Sequence, residues 1–252
     1  MSDFPHQIIT DVSHRPWPLP SGPWFMTQSW HDLLFAHWPV DADVLRAKLP
    51  AGLELDTFDE RAWLGIVPFT MTDVSARGLP AVPHFSTFPE TNVRTYVRHR
   101  GLSGVWFLSL DADSWVTVLG ARRVFHLPYA HARMRSTRRA DEIAYHSVRD
   151  DRSVPPARFD ARYRAIGPPR AAEEGSFDAW ATDRLRLFSA DKRGRIWRAE
   201  IAHAPWPLQP AAGTIEANEL AAVHGLELPA EPPRLLFAAR QDVRGWLPVL
   251  AR

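Results

Sequence analysis

Proline stands at 23 of 252 positions, from Pro5 to Pro248, and it constrains this chain more than any other feature. Each proline fixes φ at about −65° and removes a backbone donor, so long helices are excluded and short strands, turns and brief helices are expected. Hydrophobic residues make up 45% and charged residues 23%, the balance of a globular chain and not of a disordered one. The length fits one β-barrel domain, a class that commonly reaches about 200–250 residues. Pro16, Pro18, Pro20 and Pro23 make residues 1–24 read as an extended arm lying on the body through Trp17 and Trp24. A single barrel domain is expected over residues 25–252.

The β-rich segments are Trp63–Phe69, Thr91–Val97, Val105–Ala112, Ala130–Arg138 and Ile143–Arg149, separated by Gly, Pro or charged turns. Leu185–Ala190 and Arg195–Ile201 form the best local hairpin, with Gly194 suited to a positive φ in its turn. Residues 151–175, rich in Pro, Arg and Glu, read as a loop. Asp41 or Asp43 caps a short helix ending at Pro50, and Ser176 caps a second carrying Phe177, Trp180 and Ala181. A third helix is expected from Thr214 to Gly225, while 114–124 is ambiguous because of its β-branched content. The fold class is mainly β (α+β): an antiparallel barrel with a few flanking helices.

Charge and motifs narrow the function. With 30 Lys+Arg against 29 Asp+Glu, no whole-molecule field draws the chain to nucleic acid or an anionic membrane. The start Met1–His6 has no signal-peptide pattern and no apolar run spans a bilayer, so a cytoplasmic protein is expected. Cysteine is absent, and the 11 histidines show no H-E-x-x-H or comparable ligand spacing, so neither a metal nor a cofactor is expected. A P-loop, a G-x-G-x-x-G and a G-x-S-x-G elbow are also missing. Residues 122–164 hold eleven Arg against five acids, a surplus that offers an anionic partner a local face.

The segment Phe88–Val97 carries the most chemistry. On a strand, Glu90, Asn92, Arg94 and Tyr96 share one face, all capable of hydrogen bonding. If Val97 pairs with Gly104 on the next strand, Arg94 opposes Phe107, Asn92 opposes Ser109 and Glu90 opposes Asp111. Two carboxylates side by side cannot both ionise cheaply, so one is expected to titrate in the range useful for acid–base work unless Arg94 offsets the repulsion. A one-residue slip sends Asp111 to the other face, and a buried Glu–Arg pair fixing the sheet is the plain alternative. Further along, Arg122 or Arg123 can grip a carboxylate, and Tyr129 or His126 can pass a proton. His203–Leu208 reads as a rigid strand exit closing the barrel, with His203 or Trp206 as secondary candidates for lining a cavity.

Trp30–Trp38, Trp63–Phe69, Phe88–Val97, Val105–Ala112, Leu127–Tyr129 and His203–Leu208 together resemble the bacterial YqjF-like family of uncharacterised conserved proteins, most specifically in Glu90-Thr91-Asn92-Val93-Arg94-Thr95-Tyr96. That family is similar in fold to acetoacetate decarboxylase, and the resemblance implies a cone-like barrel enclosing a small-molecule cavity. It also implies an acidic cavity position at Glu90. The decarboxylases use a Schiff-base lysine, and Tyr129 and Ala130 stand at the corresponding positions here. The chain has only Lys48 and Lys192, both expected in solvent.

The expected function is therefore acid–base chemistry on a small, anionic carboxylate or carbonyl compound without a covalent lysine. Glu90, Tyr129 and Asp111 are the candidate catalytic groups, and Arg94, Asn92, Tyr96, Arg123 and Ser109 the candidate substrate-binding groups. A non-catalytic ligand sensor uses the same pocket, and an interaction protein uses the arginine face. Neither a nucleic-acid nor a membrane partner is expected, and a homo-oligomer is compatible with the sequence.

Overall fold

The computed structural model describes residues 11–80 and 86–251. Within them the chain runs β1 (Met26–Val40), α1 (Ala42–Arg46), β2 (Glu54–Leu55), β3 (Ala62–Ala76), β4 (Phe88–His99), β5 (Leu102–Ala112), α2 (Trp115–Val124), β6 (Tyr129–Arg139), β7 (Glu142–Arg149), β8 (Arg158–Ala165), α3 (Phe177–Thr182), β9 (Arg186–Ala190), β10 (Ile196–Ala202), β11 (Gln209–Asn218), β12 (Arg234–Gly245) and β13 (Val249–Leu250). The helices are short, as the prolines require, and Asp41, Ser114 and Ser176 cap α1, α2 and α3 through side-chain oxygens. The strands are longer than expected: β1 and β3 each run 15 residues.

Two sequence expectations fail. Residues 209–218 form β11 and not a helix, leaving only a 3₁₀ turn at Ala222–His224 that Gly225 closes at φ 66°. Gly213 is the reason. Its backbone lies so close to β8 that an added Cβ would sit 2.5 Å from Arg162 O and 2.8 Å from Tyr163 Cβ, an approach that strand pairing needs and a side chain forbids. The supposed loop at 151–175 contains β8, where Phe159, Ala161 and Tyr163 are buried and Arg158, Arg162 and Arg164 are exposed. That period of two outweighs the charged composition.

The strands close into two fused circuits. One runs β5–β4–β3–β1–β12–β10–β9 and back to β5; the other leaves β5 through β6, β7, β8 and β11 to β12 and returns along β1, β3 and β4. The pairing is mixed, because β5 lies parallel to both β6 and β9 while its pairing with β4 is antiparallel. Side chains alternate across a strand, so the shared strands furnish both interiors. Leu33, Phe35, Val67, Phe69 and Met71 belong to the first, and Leu34, Ala36, Leu64 and Ile66 to the second.

Residues 1–10 of the expected arm lie outside the described residues. Beyond them, Trp17 donates its indole N–H to Glu200 at 2.9 Å with the Arg186 guanidinium 3.3 Å from its ring centre. Trp24 lies against Arg77 and Arg244. Among the described residues no helix is long and apolar enough to cross a membrane.

Candidate active site

The first circuit encloses a cavity of about 610 Å³. Its wall is mostly aromatic and aliphatic, with Trp30, Phe35, Phe69 and Phe107 prominent, and β4 supplies Glu90, Asn92 and Arg94. Leu79, Val116 and Val124 also line it and are exposed, so the cavity reaches the surface between α2 and the turn after β3.

Glu90 is 1% exposed, and its backbone carbonyl is held by the Tyr145 hydroxyl at 2.8 Å. Burial pushes its carboxyl up to about 8, because an ionised carboxylate loses its hydration; hydrogen bonds from Tyr129 and Asn92 offset part of this. The Tyr129 hydroxyl donates to Glu90 Oε2 at 3.0 Å, and burial and the Glu90 charge raise the phenol well above its usual range. Tyr129 is itself positioned by Arg122, whose Nε donates to its carbonyl at 2.7 Å while Nη2 grips Asp151 at 2.6 Å.

The expected partnership of Glu90 with Asp111 is corrected. Val97 does pair with Gly104 and Arg94 with Phe107, but a β-bulge at Leu108 then shifts the ladder by one, so that Val93 pairs with Ser109, Thr91 with Asp111 and Glu90 with Ala112. Phe107 and Leu110 thereby face the cavity, while Ser109 and Asp111 turn to the other side of the sheet. There Arg149 Nε lies 2.8 and 2.9 Å from the two Asp111 carboxylate oxygens, and Arg149 Nη2 donates to Ser109 Oγ at 2.7 Å. Burial raises Asp111 to about 6, against the lowering effect of Arg149.

The remaining candidates divide. Arg94 reaches the cavity, donates Nη2 to Ala181 O at 3.1 Å, and lies against the rings of Phe35 and Tyr96. Tyr96 is fully buried behind it, its hydroxyl 2.5 Å from His37 Nε2. Arg123 is exposed on α2, away from the cavity lining. His126 packs on Trp197.

Sequence reading missed Arg184 and Arg186, which reach the cavity from the start of β9; their alternation with Leu185 and Leu187 was the available signal. His203 and Trp206, secondary candidates in the sequence, both line the cavity, and burial lowers His203 to about 4. Both lysines are absent from the lining: Lys192 is exposed in the turn between β9 and β10 and Lys48 follows α1. Among the described residues no cluster of His, Asp and Glu could hold a metal ion.

Five polar atoms of this wall are buried without a hydrogen-bond partner in the protein: Asn92 Oδ1, Arg94 Nε, Arg184 Nη2, Arg186 Nε and His203 Nε2. Each such atom costs about 1–3 kcal/mol unless something occupies the space beside it. The arrangement offers proton transfer at Glu90 and hydrogen bonding to an anion at Arg94.

Comparison with solved structures gives the same fold. Acetoacetate decarboxylase from Legionella pneumophila superposes with a TM-score of 0.65 at 15% identity, covering 100% of this chain and 98% of that one. MppR, an enduracididine biosynthesis enzyme solved in complex with pyruvate, gives 0.63 at 12% identity and 93% of each chain. In sequence the chain is 46% identical over 228 residues to the uncharacterized protein YqjF of Bacillus subtilis, spanning 90% of this chain and 93% of that protein. Residues 27–242 match the model of the family DUF2071, described as an uncharacterized conserved protein. With that match across most of its length and the acetoacetate decarboxylase-like barrel, this chain belongs to the DUF2071 family.

Proposed function

We propose that the protein is an enzyme acting on a small oxo acid by proton transfer next to a carbonyl, without a covalent lysine intermediate. The supporting observation is the Glu90 carboxyl, buried in the cavity wall, raised to about 8 and 3.0 Å from the Tyr129 hydroxyl. A general base or acid works best when its pKa lies near the operating pH. As carboxylate, Glu90 takes a proton from the carbon beside the carbonyl; as the neutral acid it returns one. Tyr129, protonated throughout the accessible range, donates to the Glu90 carboxylate at rest; once Glu90 has taken the substrate proton, the hydroxyl turns to donate to the enolate oxygen. Arg94 holds the anionic end of the substrate. The pyruvate bound to the structural neighbour MppR favours oxo acids as the class.

The test is hydrogen–deuterium exchange at the carbon beside the carbonyl of oxo acids, followed by NMR in D₂O. Wild-type exchange should rise with pH through a midpoint near 8, the point at which Glu90 ionises. Glu90→Gln should bind the same acids and lose exchange by at least about 100-fold, the usual scale for one acid–base group. Exchange that survives Glu90→Gln overturns the proposal. Binding by the wild type with no exchange in any acid indicates a ligand sensor in the same cavity.

A further inference from the structure

The proton-transfer pair and the anion anchor stand at opposite ends of the cavity wall. Glu90 and Arg94 are four residues apart on β4, so at about 3.3 Å per residue their Cα atoms are separated by roughly 13 Å. The groups acting on Glu90 are Tyr129, Asn92 and Asp111. The Arg94 guanidinium lies 5.6 and 5.8 Å from the ring centres of Phe35 and Tyr96 and is bonded to the last turn of α3 at Ala181 O.

Arg184 joins it at that end. Its guanidinium lies 4.9 Å from the same Tyr96 ring, Nη1 donates to Asp56 at 2.6 Å, and Nη2 is buried without a partner. Arg94 Nε is likewise unpartnered. Between the two ends the wall offers Asn92, whose buried Oδ1 is unpaired, and Val67 opposite it, while Phe69 stands beside Glu90 and Phe107 beside Arg94.

We infer that the ligand is an elongated oxo acid whose carboxylate, held by Arg94 and Arg184, is separated from the reacting carbonyl by an apolar spacer of several carbon atoms. This rests on the acid–base reading above and adds the substrate's shape to it. A four-carbon oxo acid is about as long as one extended residue, roughly 3.5 Å, well short of the roughly 13 Å between the two Cα atoms. The volume agrees: a dry cavity of about 150 Å³ holds benzene, whereas this one measures about 610 Å³.

The experiment uses methyl-ketone acids of increasing length, 3-oxobutanoate, 5-oxohexanoate, 7-oxooctanoate and 9-oxodecanoate. Binding is followed by the fluorescence of Trp30 and Trp206 in the cavity wall and by calorimetry, and exchange at the methyl group by NMR in D₂O. Affinity should rise about fourfold per added methylene to an optimum beyond six carbons, and the methyl ester of the optimal acid should bind at least tenfold more weakly. Arg94→Gln should erase the difference between acid and ester. If that variant does not fold, the acid and ester comparison on the wild type still decides. Equal affinity across the series, or an ester that binds as well as its acid, overturns the inference. A length optimum with no exchange in any member removes the acid–base reading and keeps the elongated ligand. Exchange confined to 3-oxobutanoate does the reverse.

Discussion

The two interiors of this barrel are built from alternate residues of the same strands, yet one is filled and the other is hollow. In the second circuit Leu64, Ile66, Tyr145, Phe159 and Tyr163 are each 2% exposed or less, and Asp111 is neutralised by Arg149. In the first, Leu33, Phe35, Val67 and Phe69 are as deeply buried, yet their wall borders a cavity of about 610 Å³ that Glu90, Asn92 and Arg94 also line. Sheet geometry alone does not produce the difference, since both faces belong to β1, β3, β4 and β5. The polar face of β4 and the bulge at Leu108 do. The first places Glu90, Asn92 and Arg94 where a core would need leucines. The second keeps Asp111 out of the cavity and puts Leu110 in its wall.

The largest expected effect tests whether the contrast is energetic. Truncating Phe159 to Ala in the packed interior should cost about 3–5 kcal/mol of stability, through lost transfer energy and a new void. Phe107→Ala, whose ring already faces empty space, should cost about 1–2 kcal/mol. Chemical denaturation of both variants measures this. Equal losses would mean that the cavity is not the softer side.

How much of this was legible follows from where the information sits. Seven predicted strand segments and the caps at Asp41 and Ser176 were visible because alternation and capping are local. The polar face of β4 was visible for the same reason, and with it Glu90, Asn92 and Arg94. Asp111 was misplaced because a bulge is set by packing on both sides of a strand: Phe107 and Leu110 both find the cavity only if Leu108 is the extra residue, and the linear pattern does not say so. The 209–218 strand was misread because Ile215, Leu220 and Val223 imitate a helical stripe, while the decisive contact, Gly213 against Tyr163, joins residues far apart in the chain. Arg184 and Arg186 escaped notice because their role depends on circuit closure by β9.

The next effect is electrostatic and confined to the hollow side. Glu90 ionises near 8 in the folded chain against an ordinary value of 4.5, so between those pH values the folded state holds a proton that the unfolded state has released. Stability associated with this group is therefore full below about pH 4.5 and declines as pH rises toward 8. Glu90→Gln removes that decline. Relative to the wild type it should gain stability with rising pH, on the order of a few kcal/mol by pH 8, read as a growing difference in Tm between pH 5 and pH 8. A difference that stays constant would place Glu90 in a wetter setting than the cavity wall provides.

The smallest effect separates the two ends of the cavity itself. The arginine end depends on α3, a single helix of six residues whose last carbonyls receive Arg184 Nε at Trp180, Arg94 Nη2 at Ala181 and Trp206 Nε1 at Thr182. Ser176 caps its start by accepting from Ala179 N–H at 3.2 Å. Ser176→Ala should cost about 1 kcal/mol of stability, visible in denaturation, and should loosen Arg94 and Arg184 together because both hang on the same turn. The Glu90 end is held by Tyr145 and Tyr129 from other strands, so the pH midpoint of exchange should not move in this variant. If that midpoint shifts along with stability, the two ends are one mechanical unit, and the division of labour between proton transfer and anion binding gives way to a single coupled site.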